Sequence, residues 1–176
     1  LAAMQLPLAQ GRIAATAEDA VKIAGEIGYP VAVKLASHTI LHKTEIGGVR
    51  LNLAGEQAVR DAFEAIRARL AQEGKPDAME GVLVQPMISD GVEVMAGMTR
   101  DPLFGPLIAF GLGGIHVEIL GDVQFRLAPL TDRDATEMVE RIKGYRLLQG
   151  YRGRPAVDRE VIEEVLLRLS RLVEEI

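Results

Sequence analysis

Apolar positions along this 176-residue chain follow two spacings, and the two alternate from one segment to the next. Behind T-A-E-D at Thr16, the residues Ala20, Val21, Ala24 and Ile27 fall on one helical face, and Gly28 supplies a stop. Pro30 then breaks the pattern. V-A-V-K-L-A-S (31–37) reads as a strand and V-R-L-N-L (49–53) as a second. Over 56–72, Val59, Phe63, Ile66 and Leu70 line one side of an amphipathic helix. G-K-P-D (74–77) reads as a loop.

The second half is richer in strands. G-V-L-V-Q-P-M-I (81–88) is one, with Pro86 where no ladder N–H is needed. V-E-V-M-A-G-M-T, P-L-I-A-F, I-H-V-E-I-L and V-Q-F-R-L-A-P follow, with Gly121-Asp122 as a tight turn between the last two. Thr131 begins a helix expected to reach about Gly144. After a Gly/Arg-rich loop, Val161 to Ile176 carries Ile162, Val165, Leu166, Leu169, Leu172 and Val173 at helical spacing. Interleaved helices and strands predict an α/β or α+β fold. Two lobes are expected, residues 1–80 and 81–176, with the junction near Gly81–Gly91.

Composition narrows the function. Apolar residues make up 48% but aromatics only 4%, so the core must be aliphatic. With no cysteine, thiol catalysis and Cys-ligated metals are excluded. The net charge of -5 comes from interleaved signs, which argues against a broad nucleic-acid or membrane surface. No apolar run is long enough to span a membrane, and the first residues do not form a secretory signal. Because the chain begins without Met and its last helix is still running at Ile176, it is expected to be a piece of something longer.

The candidate chemistry centres on L-H-K-T-E-I-G-G-V-R-L-N-L (41–53). His42 can act as base, ligand or nucleophile, or be ordinary loop surface. Lys34, in the middle of an apolar strand, either points to solvent or aims a cation at a phosphate. Gly47-Gly48 and G-L-G-G (111–114) permit tight turns or close approach of a ligand. Gln85 and Glu93 flank the polar bend S-D-G, which could present backbone groups to a planar ligand. Glu118, Asp122 and Arg126 surround the expected hairpin, on opposite faces unless a bulge intervenes. The three histidines are too scattered to form a metal site.

Taken together, two blocks are more specific. G-Y-P-V-A-V-K-L-A-S-H-T-I-L-H-K-T-E-I-G-G-V-R-L-N-L resembles the ATP-grasp domain of ADP-forming acyl-CoA synthetases. So does the block from G-V-L-V-Q-P-M-I to R-L-A-P-L, with D-P-L-F-G-P and F-G-L-G-G inside it. The resemblance runs from about Gly11 to Ile176. It implies a two-lobed ATP-grasp fold with a nucleotide cleft between the lobes, and ATP/ADP with Mg²⁺ as cofactors. It also implies a ligase that forms a carbon–sulfur bond. In that family acyl-CoA, ADP and phosphate interconvert with free acid, CoA and ATP through phosphohistidine.

His42 matches the histidine that hands the phosphoryl group to ADP. Lys34 matches the lysine that reaches the nucleotide phosphates. Val84, Gln85, Pro86 and Met87 match the adenine hinge, and Glu93 the residue that takes the ribose hydroxyls. Glu118 and Arg126 fall in a block assigned to the nucleotide cleft. The implied partners are CoA-binding and CoA-ligase domains, in the same chain or a separate subunit, with acid and CoA bound there. A cytoplasmic homo- or hetero-oligomer goes with that reading.

Two departures stand out. Ser37-His38-Thr39 replaces the family's Ser-Pro-Asp, which removes a proline-fixed entry turn. The magnesium ligands of the family, in a strand resembling E-x-D-I-N-P-L, are expected beyond Ile176, so that strand is missing and this piece is expected to be inactive alone. Two other readings keep the same fold. One is a regulatory, nucleotide- or acyl-CoA-sensing half of a protein lysine acetyltransferase. The other is a structural domain that has lost nucleotide binding.

Overall fold

The computed structural model describes residues 5–114, 121–151 and 153–175. The chain divides into two compact units: Ala9–Ser89, and Asp90–Ile176 joined by the segment that ends at Leu8.

The N-terminal unit holds β1 (Arg12–Ala14), α1 (Ala17–Ile27), β2 (Val31–Ala36), β3 (Val49–Leu53), α2 (Glu56–Gln72) and β4 (Gly81–Pro86). Its sheet has the order β1-β4-β2-β3 with every pair antiparallel. The period-two pattern of β2 sends Val31, Val33 and Leu35 to one side, where they are fully buried. There they meet Val82 and Val84 from β4, Ala20 and Ala24 from α1, and Val59, Phe63, Ile66 and Leu70 from α2. Burial of these apolar side chains is what holds the helices on one face of the sheet. Thr16 caps α1 by accepting from Asp19 N, and Gly28 ends it with φ +92°. β3 carries one extra residue where it runs beside Val31 and Val33. That bulge lies beside Asn52, which adopts a left-handed backbone (φ +56°) that asparagine tolerates.

The C-terminal unit holds β5 (Val94–Asp101), β6 (Gly105–Leu112), β7 (Val123–Leu127), α3 (Asp132–Glu140), α4 (Tyr145–Leu148) and α5 (Arg159–Glu174). The three strands form an antiparallel sheet in the order β5-β6-β7. Ile108, Phe110 and Leu112 of β6 pack with Ala135, Met138 and Val139 of α3, Leu148 of α4, and Leu166 and Val173 of α5. A capping box closes the start of α3. Thr131 Oγ1 accepts from Asp134 N at 3.2 Å, and the Asp134 carboxylate accepts from Thr131 N at 2.9 Å. The Thr131 hydroxyl, ahead of its backbone N–H, holds the Asp134 carboxyl below the usual Asp range.

Several expectations change. β4 belongs to the N-terminal sheet, paired with β1 and β2, so the units part between Ser89 and Asp90 rather than between 80 and 81. The loop 74–77 contains the start of a 3-10 turn, Pro76–Ala78. I-H-V-E-I-L (115–120) lies outside the described residues, and β7 pairs with β6, Gly111 opposite Val123. Asp122 is buried (3% exposed), and its carboxylate accepts from Lys143 N and Gly144 N, both at 2.7 Å. Those two donors leave the helical ladder, so α3 ends at Glu140 instead of near Gly144. A side chain at 144 would also lie 2.3 Å from Leu112 Cδ1.

Thr131→Ala is expected to destabilise the protein by about 1 kcal/mol in denaturant unfolding at neutral pH. The Asp134 carboxyl is depressed in the folded state. Its share of that cost is therefore present above the ordinary Asp pKa and fades as pH falls through the folded value. Gly111→Ala would place Cβ 2.4 Å from Asp122 O. It should cost about 1–3 kcal/mol or prevent folding. Gly97→Ala in the neighbouring strand meets nothing within 4 Å and should be tolerated.

Candidate functional site

Register places the candidate side chains. In β2, Lys34 lies opposite Val49 of β3 and Leu83 of β4, and Ala32 lies opposite Gln85. Directly paired residues project to the same side of a sheet. Lys34, Val49, Leu83 and Gln85 therefore share the face turned away from the core formed with α1 and α2. Val84 pairs with Val33 on the core face and is fully buried. Of the predicted hinge residues, it thus supports the sheet from behind.

The segment that carries His42 is pinned at both ends. At its entry, Ser37 Oγ accepts from Thr39 N and Ile40 N, each at 3.2 Å. Glu80 accepts from His38 N at 3.0 Å and lies 3.1 Å from His38 Nε2. A proline at 38 would have no N–H to donate. The departure from Ser-Pro-Asp is therefore matched by a serine turn and a Glu80 contact. Ile40 is buried in the core of the unit. At the exit, Leu35 N donates to Gly48 O and Gly48 N to Lys43 O, both at 2.7 Å. A Cβ on Gly48 would sit 2.9 Å from Lys43 O and 3.1 Å from Leu35 Cβ, so only glycine fits. Gly47 has φ +69° and closes the turn, its N–H donating to Thr44 O at 3.0 Å.

Between those anchors, His42 and Glu45 are exposed, with Nδ1 of the ring 3.7 Å from Glu45 Oε1. Lys34, Leu41, His42, Lys43, Thr44, Glu45, Val49 and Leu51 together line one open hollow of about 520 Å³. The strand lysine and the loop histidine, eight positions apart in sequence, therefore face the same space.

The rest of the predicted hinge is partly committed. Gln85 Nε2 donates to Ala9 O at 3.4 Å, and Met87 N donates to Pro30 O at 3.1 Å. A base could thus be read only by groups beyond the Met87 N–H. Glu93 belongs to the C-terminal unit and is exposed. Its carbonyl accepts from Gly113 N at 2.7 Å. Side chains at 113 and 114 would lie 2.7 Å from Glu93 Cγ and 2.8 Å from Glu93 Oε2. The G-L-G-G run thus makes room for Glu93 and, through Gly111, for the Asp122 carbonyl.

Arg126 is placed on the α3 side of its sheet. Its guanidinium lies 3.4 Å from Glu137 and 4.0 Å from Asp134, and donates to Phe125 O at 2.9 Å. Arg133 and then Arg141 hold Glu137 below the usual Glu range. Arg126 therefore ties β7 to α3. Glu118 lies outside the described residues. Glu45, Glu80 and Asp122 carry contacts that sequence reading did not assign. Their partners are hydrogen-bonding groups distant in sequence or across a turn, and no spacing announces them.

Among the described residues no group of three or more His, Cys, Asp or Glu could hold a metal ion. A Mg²⁺ ion held chiefly by nucleotide phosphates needs only one or two protein carboxylates. No helix among the described residues is long and apolar enough to cross a membrane.

Residues 1–176 match the family model of an ATP-grasp domain. The beta subunit of acetate–CoA ligase [ADP-forming] I from Pyrococcus furiosus is 45% identical over 172 residues, which is 97% of this chain and 74% of that one. Acetate–CoA ligase [ADP-forming] I from Archaeoglobus fulgidus is 45% identical over 98% of this chain, but that match spans only 25% of the relative. A solved acetyl-coenzyme A synthetase 1 of Ca. Korarchaeum cryptofilum is 39% identical, with a TM-score of 0.82 over 99% of this chain and 75% of that chain. It holds coenzyme A and Mg-AMPPCP, with its phosphohistidine segment pointing towards the nucleotide binding site. The chain belongs to the ATP-grasp domain family, in the branch made up of the ATP-grasp parts of ADP-forming acyl-CoA ligases.

Proposed function

We propose that His42 is the phosphoryl carrier of this ATP-grasp domain and that Lys34 receives the nucleotide phosphates. The observation that carries this reading is the shared hollow: the one lysine inside an apolar strand and the loop histidine line the same open space. A strand fixes the cation, while a segment exposed between two anchors carries the nucleophile. Phosphoryl transfer asks mainly for positioning and charge neutralisation, and this arrangement supplies both. The solved relative, with a phosphohistidine segment and a magnesium nucleotide analogue, supports the assignment. Mg²⁺ would arrive with the nucleotide and balance its phosphate charge.

In this reading the acid and CoA bind on CoA-binding and CoA-ligase domains, in the same chain or in another subunit. The acyl group is chosen there. Base recognition falls to backbone groups beyond the Met87 N–H. The exposed carboxylate of Glu93, backed by Gly113 and Gly114, suits ribose hydroxyls. A cytoplasmic setting goes with exchange against a nucleotide pool.

In the complete enzyme, His42→Ala should abolish phosphoryl exchange between acyl-CoA and ADP and leave the Kd for Mg²⁺·ADP nearly unchanged. Retained exchange would sink the carrier role. Lys34→Ala should weaken Mg²⁺·ADP binding about tenfold or more, since a charge-assisted hydrogen bond contributes about 1.5–3 kcal/mol. Calorimetric titration measures this, and an unaltered Kd would count against the phosphate site.

A further inference from the structure

We propose that Glu45 is a positioning residue that fixes the proton of His42 on Nδ1, so that Nε2 is the nitrogen that carries the phosphoryl group. The inference rests on the carrier role proposed for His42 and adds to it an orienting partner and a reacting atom. The turn at 43–47, closed by Gly47 N donating to Thr44 O and Gly48 N donating to Lys43 O, brings Glu45 back toward His42. The carboxylate then faces Nδ1 at 3.7 Å, an ion-pair separation rather than a short hydrogen bond. His42 Nε2 has no hydrogen-bond partner among the described residues.

His38 shows the opposite arrangement in the same segment. Its carboxylate partner, Glu80, faces Nε2 at 3.1 Å and also accepts from the backbone N–H of His38. The structure thus distinguishes an anchoring histidine, with Nε2 engaged, from a histidine whose Nε2 is left open. A neutral imidazole carries one proton and one lone pair, and a neighbouring carboxylate settles which nitrogen has which. With the proton held toward Glu45, the Nε2 lone pair attacks the terminal phosphorus of the nucleoside triphosphate. The N–P bond forms as the P–O bond to the diphosphate leaving group breaks, and that oxygen keeps the electron pair. The ring becomes a cation with its proton still on Nδ1, next to the Glu45 charge. In reverse, a diphosphate oxygen attacks phosphorus and the N–P electron pair returns to Nε2. No proton need leave the ring in either direction.

The test labels His42 in the complete enzyme with Mg²⁺·ATP and identifies the phosphohistidine isomer by phosphorus NMR. Wild type is expected to carry the phosphoryl group on Nε2 alone. Glu45→Ala should give both isomers and slow exchange about two- to fivefold, the scale of an exposed ion pair. Glu45→Gln, which keeps an oxygen acceptor on the Nδ1 side of the ring, should keep the single Nε2 isomer. An unchanged thermal unfolding midpoint in both variants checks that they are folded. Label on Nδ1 in wild type, or a single Nε2 isomer in Glu45→Ala, would overturn the role of Glu45. Label on a residue other than His42 would instead overturn the carrier reading beneath it.

Discussion

Gly48 sits where nothing larger than glycine fits. Its carbonyl accepts from Leu35 N, its N–H donates to Lys43 O, and an added Cβ would press on both Lys43 O and Leu35 Cβ. This contact ties the exit of the His42 segment to the strand that carries Lys34, one residue away from the lysine itself. Ile40, buried in the aliphatic core, does the same for the entry. The segment between them can be exposed because both roots are fixed, which suits a side chain that must meet a ligand. Everything assigned to the hollow depends on these two anchors being about as rigid as the sheet beneath them.

The C-terminal unit uses glycine and a buried acid for a different purpose. Gly111 lets the Asp122 carbonyl come close to β6, and the Asp122 carboxylate then takes two backbone N–H groups from the turn after α3. A buried carboxylate is costly unless hydrogen bonds satisfy it, and here two short ones do. That clamp sets where α3 stops and allows α4 to begin against Leu112. Gly113 and Gly114 give the same kind of clearance to Glu93. The G-L-G-G run is therefore explained by close approach within its own unit.

Much of this was legible in sequence because it is written in local spacing. The spacing predicts α2 with its observed limits, 56–72, and V-A-V-K-L-A reads as an apolar strand with Lys34 at its centre. The motif names Lys34 and His42 together, and both line one hollow. What escaped depends on partners far along the chain. β1 is three residues long and exists because β4 pairs with it. The end of α3 is set by Asp122, about twenty residues upstream by number. The contacts of Arg126 with Asp134 and Glu137 join separate elements and are not announced by any spacing. The hinge reading concerns the backbone of Val84; that its side chain lies in the core is shown only by the register. Hydrogen bonds and ion pairs between distant segments leave no periodic trace.

The most direct measurement is an amide NMR titration of this 19.1 kDa chain with Mg²⁺·ADP. The largest shift changes should fall on Lys34 and its neighbours in β2, and on Leu41 to Glu45. Changes confined to the strands β5 to β7, with Lys34 and Leu41 to Glu45 unmoved, would contradict a phosphate site built on Lys34 and His42.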